Sequence, residues 1–144
     1  MKIHIGTDHA GFELKNKLVT YITKLGHEVI DHGAFSYDPI DDYPDFITPV
    51  AHAVSMDTQS FGIILGGSGQ GEAMNANRFA EVRAIEYYGG EIEIVKLGRE
   101  HNNANILSLG ARFVTDDEAY EAVKIFLETE FSNDERHARR LNKF

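Results

Sequence analysis

The sequence contains no cysteine among its 144 residues. Disulfides, thiolate metal sites and a cysteine nucleophile are therefore excluded. No segment approaches the roughly 20 consecutive apolar residues that a membrane-spanning helix needs, so we expect no membrane insertion. Positive charge is also scarce, because 14 lysines and arginines stand against 23 acidic residues. The resulting net charge of −9 argues against general nucleic-acid binding.

A signal-peptide pattern is absent too, because the N-terminus leads directly into Lys2-Ile3-His4-Ile5, which predicts a cytoplasmic protein. The hydrophobic content of 42% and the charged content of 26% are typical of a globular protein. The length suits one domain with a full core. We therefore expect a single domain over residues 1–144, with a C-terminal helical tail at about 132–144.

Short β-rich runs alternate with helical patterns along the chain, which is typical of βαβ units around a parallel sheet. The predicted strands are Lys2–Gly6, Glu28–His32, Phe61–Leu65, Val82–Tyr87 and Ala104–Leu109. The predicted helices cover about 14–25, 45–54, 72–78 and 91–99, and two more open at the capping-box pairs Thr115/Glu118 and Ser132/Glu135. The predicted fold is α/β, a Rossmann-like three-layer sandwich with a five-stranded parallel sheet.

A glycine-rich run, Gly66-Gly67-Ser68-Gly69-Gln70-Gly71-Glu72, follows the third predicted strand and precedes a helix. Glycines let the backbone approach a ligand closely, and such a loop directs several N–H groups toward an anion. The run is either a tight strand-to-helix turn or a cradle for a small anion or oxyanion. Its final residue, Glu72, is either an acid that complements the helix dipole or a general base that the same dipole keeps ionised.

Two further polar clusters follow predicted strands, namely Thr7-Asp8-His9 and Tyr87-Tyr88. Ligands of open α/β sheets bind beyond the carboxyl ends of the strands, so these clusters and the glycine loop should converge. Asp8 is either a helix N-cap or part of that site.

Several familiar chemistries lack their motifs. No Gly-Lys-Ser/Thr closes the glycine loop, the G-x-G-x-x-G spacing is absent, and no pair of aspartates at i and i+2 follows the first strand. NTP hydrolysis, dinucleotide binding and a phosphoaspartate are thus disfavoured. Histidines and acids do not cluster at ligand spacing, so no metal site is expected. His4, His27, His32 and His52 show no partner at a useful spacing.

Two basic or polar segments lie away from the predicted strand ends. The segment Arg99-Glu100-His101-Asn102-Asn103-Ala104-Asn105 precedes the fifth strand, so it is either a helix-ending loop or a group presented to a neighbouring subunit. Arg136 and Arg140 share one face of the terminal helix, which is either a solvated tail or an anion site.

Taken together with Gly6-Thr7-Asp8-His9-Ala10-Gly11, Leu109-Gly110-Ala111-Arg112 and Arg136-His137-Ala138-Arg139-Arg140, these motifs resemble those of the type B ribose-5-phosphate isomerase family. That family also includes the galactose-6-phosphate isomerase subunits. The resemblance covers nearly the whole chain with the motifs in the same order. It implies isomerisation of a sugar phosphate through a cis-enediolate, without a metal or other cofactor.

The resemblance also implies roles for individual residues. In many members a cysteine at the position of Gly66 moves the proton, whereas a subgroup uses a glutamate at the position of Glu72. The other carried-over residues fall into three groups. Asp8 and His101 would assist ring opening. Ser68 with the loop amides Gly67, Gly69, Gln70 and Gly71 would hold the enediolate oxygen. His9, Arg112, Arg136, Arg140 and Asn102 would bind the phosphate and a sugar hydroxyl.

In the family the segment around His101 comes from the partner subunit, so the resemblance implies a homodimer, or a tetramer, with shared sites. The chain is slightly longer than other members between Arg83 and His101, where Tyr87-Tyr88-Gly89-Gly90 stands. That segment borders the sugar in the family. Three other functions remain open: a hexose-6-phosphate isomerase, a non-catalytic phosphosugar- or nucleotide-binding module, and a structural subunit of a hetero-oligomer.

Overall fold

The computed structural model describes residues 1–144, in which strands and helices alternate. The strands are β1 (Lys2–Thr7), β2 (Glu28–Asp31), β3 (Phe61–Gly66), β4 (Ala84–Tyr87) and β5 (Ile106–Gly110). The helices are α1 (Phe12–Lys24), α2 (Pro44–Met56), α3 (Gln70–Ala76), α4 (Glu93–Asn102), α5 (Asp116–Glu128) and α6 (Glu135–Leu141). A single 3₁₀ turn, His9–Gly11, joins β1 to α1. None of these helices combines the length and apolar character needed to cross a bilayer.

All five strands are parallel and lie in the order β2-β1-β3-β5-β4. The prediction of a five-stranded parallel α/β sheet is therefore confirmed. β2 lies on one side of β1, and β3, β5 and β4 lie on the other side. The carboxyl ends of β1 and β3 consequently flank a topological switch point, where open α/β sheets form their ligand crevice.

The three central strands, β1, β3 and β5, are buried on both faces, since alternate side chains point to opposite helix layers. Ile3 and Ile5 of β1 join the larger core under α1 and α5, whereas Ile64 and Ile106 join the smaller core under α2. Each of these four side chains is fully buried, which stabilises the fold by about 1.5–3 kcal/mol per side chain. The layers are thus helix, sheet, helix, and they leave the strand ends free to carry a site.

The helix ends test the local predictions. Gly26 follows α1 with a φ of +88°, in agreement with the predicted end of the first helix at about residue 25. Thr115 and Glu118 form the predicted capping box of α5. The box predicted from Ser132 and Glu135 is wrong, because Asp134 is the N-cap of α6 and makes no side-chain cap. The Ser132 hydroxyl instead accepts a hydrogen bond from the N–H of Asp134. The N-cap of α6 therefore lies two residues later than the pattern predicts.

Two of the histidines without an expected partner contact each other. His4 Nδ1 and His32 Nε2 are 2.8 Å apart, because β1 and β2 are neighbours in the sheet. Burial lowers the pKa of both imidazoles, and for His4 the charge of His32 acts in the same direction. The pair is thus more readily neutral than an exposed histidine.

Candidate active site

The glycine loop between β3 and α3 forms one wall of a cleft of about 420 Å³. Gly69 has a φ of +83°, a conformation that side chains other than glycine rarely adopt, and it lets the loop turn sharply into α3. The loop is fastened to β5: the Ser108 hydroxyl donates to the Gly69 carbonyl at 2.6 Å, and the N–H of Arg112 donates to the Gly67 carbonyl at 3.1 Å. The cleft wall is therefore held in place by the sheet.

Seven residues line this cleft: Tyr43, Gly67, Ser68, Gly71, Glu72, Arg112 and Phe113. Five of them were among the predicted site residues. Gly69 is buried beneath the loop and Gln70 is exposed, while the N–H of Gln70 donates to the Ser68 hydroxyl at 3.3 Å. The Arg112 guanidinium lies over Gly67, so a fixed positive charge borders the loop.

Glu72 is the acid of the cleft, and its residue is only 4% exposed. Its carboxylate lies so close to Gly66 that a Cβ at position 66 would overlap with it. Burial raises the pKa of the Glu72 carboxyl above its ordinary value, and the neighbouring Asp8 carboxylate adds to the rise. The N–H groups of Glu72 and Gly69 lower the pKa, as a helix start is expected to do, but burial outweighs them. A carboxylate with a raised pKa is a better proton acceptor.

One of the two roles considered for Asp8 from the sequence, the N-cap, is observed. Asp8 is the N-cap of the 3₁₀ turn, where its carboxylate accepts from the N–H of Ala10 at 2.9 Å. It is also buried and lies close enough to Glu72 to raise the pKa of that carboxyl. The ends of β1 and β3 therefore converge as the strand-end rule predicts.

His9 lies beside Asp8 and contacts a residue that the sequence did not single out, Asp41. The His9 Nδ1 atom is 2.7 Å from Asp41 Oδ1, and the same oxygen accepts from the backbone N–H of His9 at 3.0 Å. Ligand atoms of Asp8, His9 and Asp41 lie within 4.8 Å of one another. The expectation that histidines and acids do not cluster at ligand spacing is wrong for these three. The loop after β2 brings Asp41 next to His9, although the two are 32 residues apart in the chain.

Tyr43 and Phe113 are the other cleft residues that sequence reasoning missed. The Tyr43 hydroxyl lies against Gly71, and Phe113 lies at the rim. Asp41 and Tyr43 belong to the loop between β2 and α2. That loop follows the carboxyl end of β2, so the strand-end rule gives the correct edge of the sheet for the loop but does not single out either residue.

Tyr87 and Tyr88 separate at the end of β4. Tyr87 is buried in the core and donates to the Gly90 carbonyl at 3.2 Å. Tyr88 is exposed and packs edge-on against Phe113, with ring centroids 6.4 Å apart. The segment therefore contacts one cleft residue, Phe113, through Tyr88.

Eight predicted site residues do not line this cleft: Asp8 and His9 at the end of β1, Gly69 and Gln70 of the glycine loop, and His101, Asn102, Arg136 and Arg140, which belong to α4 and α6. His101 and Asn102 end α4 just before β5 begins, which places them at the amino edge of the parallel sheet. The ring of His137 of α6 packs on that of His101 with centroids 4.2 Å apart, and its Nδ1 lies 3.2 Å from the His101 carbonyl oxygen. Because α6 is tied to this end of α4, Arg136 and Arg140 also lie away from Glu72 within one chain.

Arg99 holds this second region in shape. Its guanidinium is buried and donates to the carbonyls of Thr129 and Ala104, and to the side chain of Asn103 at 3.1 Å. It also lies over the ring of Phe61, 4.8 Å from the centroid. Burial, with a smaller contribution from Arg83, lowers the pKa of Arg99 to about 10. Arg99 thus fixes the end of α4, where His101 lies.

Comparison with known proteins gives a consistent result over the same length. Residues 3–144 match the family model described as Ribose/Galactose Isomerase. Ribose-5-phosphate isomerase B from Mycolicibacterium paratuberculosis is 43% identical over 142 residues, which are 99% of this chain and 88% of that protein.

Two solved structures share the fold. Ribose-5-phosphate isomerase B from Mycoplasma genitalium, solved with bound ribulose-5-phosphate, superposes with a TM-score of 0.94 at 37% identity, covering 99% of this chain and 92% of that one. The enzyme from Clostridium thermocellum gives 0.92 at 40% identity, covering 99% and 94%. With the cleft, its buried glutamate and these matches in agreement, the chain belongs to the ribose/galactose isomerase family.

Proposed function

We propose that this protein interconverts ribose 5-phosphate and ribulose 5-phosphate through a cis-enediolate, with Glu72 as the general base. The observation that carries the proposal is the buried Glu72 carboxylate, packed against Gly66 in a cleft that the glycine loop and Arg112 line. A pure binding module would have no need for a desolvated carboxylate beside an anion cradle. The relatives named ribose-5-phosphate isomerase B support the choice of substrate.

In the proton-transfer step Glu72 removes the proton of C2, next to the C1 carbonyl, and returns it to C1, while the hydroxyl proton of O2 passes to O1 and C2 becomes the carbonyl carbon. Its raised pKa supports this role, since transfer is most efficient when the base matches the operating pH. The reaction leaves negative charge on the substrate oxygen. N–H groups of the loop from Gly67 to Gly71 and the Ser68 hydroxyl would stabilise that charge, and removing one such donor typically costs about 2.7–4 kcal/mol in the barrier.

Binding the phosphate group of the substrate requires positively charged side chains. Arg112 lines the cleft, and His9 follows Asp8 at the end of β1 of the same chain. Arg136 and Arg140 would complete the set from a second chain. Asp8 and His101 would assist opening of the furanose ring. A phosphate bound far from the reacting carbons positions them, so its binding energy lowers the barrier indirectly.

The separation of the two groups of residues supports the proposal of a homodimer with shared sites. Glu72 lies at the carboxyl edge of the sheet, whereas His101 and Asn102 lie at the amino edge. A second copy can bring its amino edge to the cleft, and a two-fold axis then completes both sites at once. We further propose that the enzyme acts in the cytoplasm, because a doubly charged sugar phosphate does not cross a bilayer unaided.

The test is an isomerase assay on a panel of aldose phosphates in the presence of a chelator. We expect ribose 5-phosphate to be converted to a ketose at an unchanged rate with the chelator, and Glu72→Gln to remove this turnover. Preference for galactose 6-phosphate or allose 6-phosphate would move the proposal to a hexose phosphate. Binding without turnover of any substrate would contradict an isomerase and leave a binding module or a structural subunit.

A further inference from the structure

The side chain of Asp41 makes its hydrogen bonds to one residue only, His9. A single carboxylate oxygen, Oδ1, accepts from the backbone N–H of His9 at 3.0 Å and lies 2.7 Å from the ring Nδ1. No other side chain or backbone group donates to Asp41, and its Oδ2 atom is buried without a hydrogen-bond partner. Because both donors to this carboxylate belong to His9, the carboxylate holds His9 in position.

The surroundings of His9 fix the ring in one orientation. The Asp41 side chain is 9% exposed, so it approaches the imidazole from the protein interior, and Asp8 Oδ2 lies 4.0 Å from the same Nδ1. The edge of Tyr37 packs against the ring with centroids 6.3 Å apart. The imidazole is itself 23% exposed. Nδ1 is therefore committed to the carboxylate, and Nε2 is the ring nitrogen left for a ligand.

We propose that Asp41 is a positioning residue that holds His9 as a phosphate ligand. This inference rests on the proposed function, in which His9 contacts the substrate phosphate. A neutral imidazole has one N–H, and the Asp41 carboxylate keeps that proton on Nδ1. A phosphate at Nε2 then needs a second proton on the ring, and an imidazolium between two anions is the form that donates to both. Asp41 thereby supplies both the ring orientation and the charge balance for anion binding.

The geometry favours a hydrogen-bonded pair over a cation site. A metal ion between His9 Nδ1 and Asp41 Oδ1 would lie about 2.0–2.2 Å from each atom. The two atoms are already 2.7 Å apart, so a cation would have to separate them. The same carboxylate oxygen also accepts a hydrogen bond from the backbone N–H of His9, and it would have to bind the cation beside that donor. A cation is therefore an outcome that the test must be able to detect.

The first measurement is calorimetric titration of the full chain with inorganic phosphate. We expect Asp41→Ala to weaken phosphate binding by about tenfold, in the range of a hydrogen bond to a charged group. Asp41→Asn keeps the acceptor oxygen but loses the charge, so it should weaken phosphate binding less than Asp41→Ala does. Asp38→Asn is the matched control, because Asp38 lies exposed in the same loop and asparagine can still accept from the N–H of Ile40. The control should bind phosphate as the parent does.

The second measurement is a double-mutant cycle with His9. If Asp41 acts through the imidazole, Asp41→Ala should cost little further affinity once His9→Ala is present. Equal losses in both backgrounds would overturn the proposal, since Asp41 would then act on the loop rather than on His9. Unchanged affinity in Asp41→Ala would overturn it as well. So would phosphate binding that a chelator weakens and added Mg²⁺ or Zn²⁺ restores, because the cluster would then hold a cation.

A spectroscopic readout keeps the test independent of turnover. In protein labelled with ¹⁵N-histidine, the His9 signal, identified by its loss in His9→Gln, should show a protonated Nδ1. In Asp41→Ala this proton should move partly to Nε2, which a purely structural role of Asp41 would not produce. If ribose 5-phosphate is isomerised but this signal is insensitive to Asp41, only the positioning role fails. If the signal and the phosphate affinity depend on Asp41 but no substrate turns over, only the proposed function fails.

Discussion

The carboxylate of Glu72 lies in the volume that a side chain at position 66 would need. The end of β3 and the first turn of α3 approach so closely that only one of the two positions can direct a side chain into this space. The resemblance of the motifs implies that type B isomerases with a cysteine base carry that cysteine at the position of Gly66. Steric exclusion therefore separates the two kinds of base, and Gly66 determines where Glu72 lies.

Gly66→Ala should inactivate the enzyme without unfolding it. The new methyl group would meet the tip of a flexible side chain rather than backbone, so the Glu72 carboxylate can turn away at small cost. We expect stability to change by about 1 kcal/mol or less, and kcat to fall by roughly 10²–10⁴-fold, as when a general base is lost. Stopped assays and urea unfolding of the same preparations measure the two effects.

The double variant Gly66→Ala/Glu72→Gln is the control for this prediction. Both single changes disable the same group, so the double variant should be no slower than either single one. Losses in kcat that multiply would mean that Gly66 contributes to turnover independently of Glu72.

Glu72→Gln should make the protein more stable at neutral pH while abolishing turnover. The raised pKa means that the folded state pays to ionise this buried carboxyl, and glutamine removes that cost. The gain should be roughly 0.5–2 kcal/mol, as at other active sites that sacrifice stability for function.

The stability gain should depend on pH with a defined sign. Below the ordinary value of 4.5, Glu72 is protonated in both the folded and the unfolded state, and the parent and the variant should differ least. As pH rises from 4.5 through the higher folded pKa, the unfolded chain ionises first, so the parent loses stability relative to the variant. Thermal unfolding of both proteins across this range measures the difference. If the stability advantage of the variant over the parent grew as pH falls, the raised pKa of Glu72 would be contradicted.

Mixing two inactive variants tests the shared site. Glu72→Gln and His101→Ala lie at opposite edges of the sheet, so each mixed dimer of the proposed type would contain one intact site. Random exchange makes half of the dimers mixed, and recovery of roughly a quarter of the parent activity is expected. Mass spectrometry under native conditions must show that mixed dimers form. Mixed dimers without activity would contradict a shared site.

The fold could be predicted well because periodicity and chain punctuation act locally. The apolar spacing of α1, its stop at Gly26 and the capping box at Thr115 depend on residues only a few positions apart, and all three are observed. The second capping pattern, Ser132 with Glu135, was misleading. A pattern of this kind indicates that a helix starts nearby, but the backbone conformation at the cap decides at which residue.

The site could be predicted only in part, because its electrostatics depend on contacts between distant segments. The rule that ligands bind at strand ends brought Asp8 and the glycine loop together. The contact between Asp41 and His9 depends instead on how a long loop folds back, and no local pattern encodes that. The pKa of Glu72 likewise depends on burial, which the dipole argument from sequence does not include.

The packing of His137 on His101 makes α6 and the end of α4 one unit. In the proposed dimer each subunit would lend this unit to its neighbour and receive the neighbour's in return. Specific activity should therefore fall on dilution, as dimers dissociate, although nothing in a chain's own cleft changes. The concentration at which half of the activity disappears would report the dissociation constant of the dimer, so that the reaction itself becomes the measure of assembly.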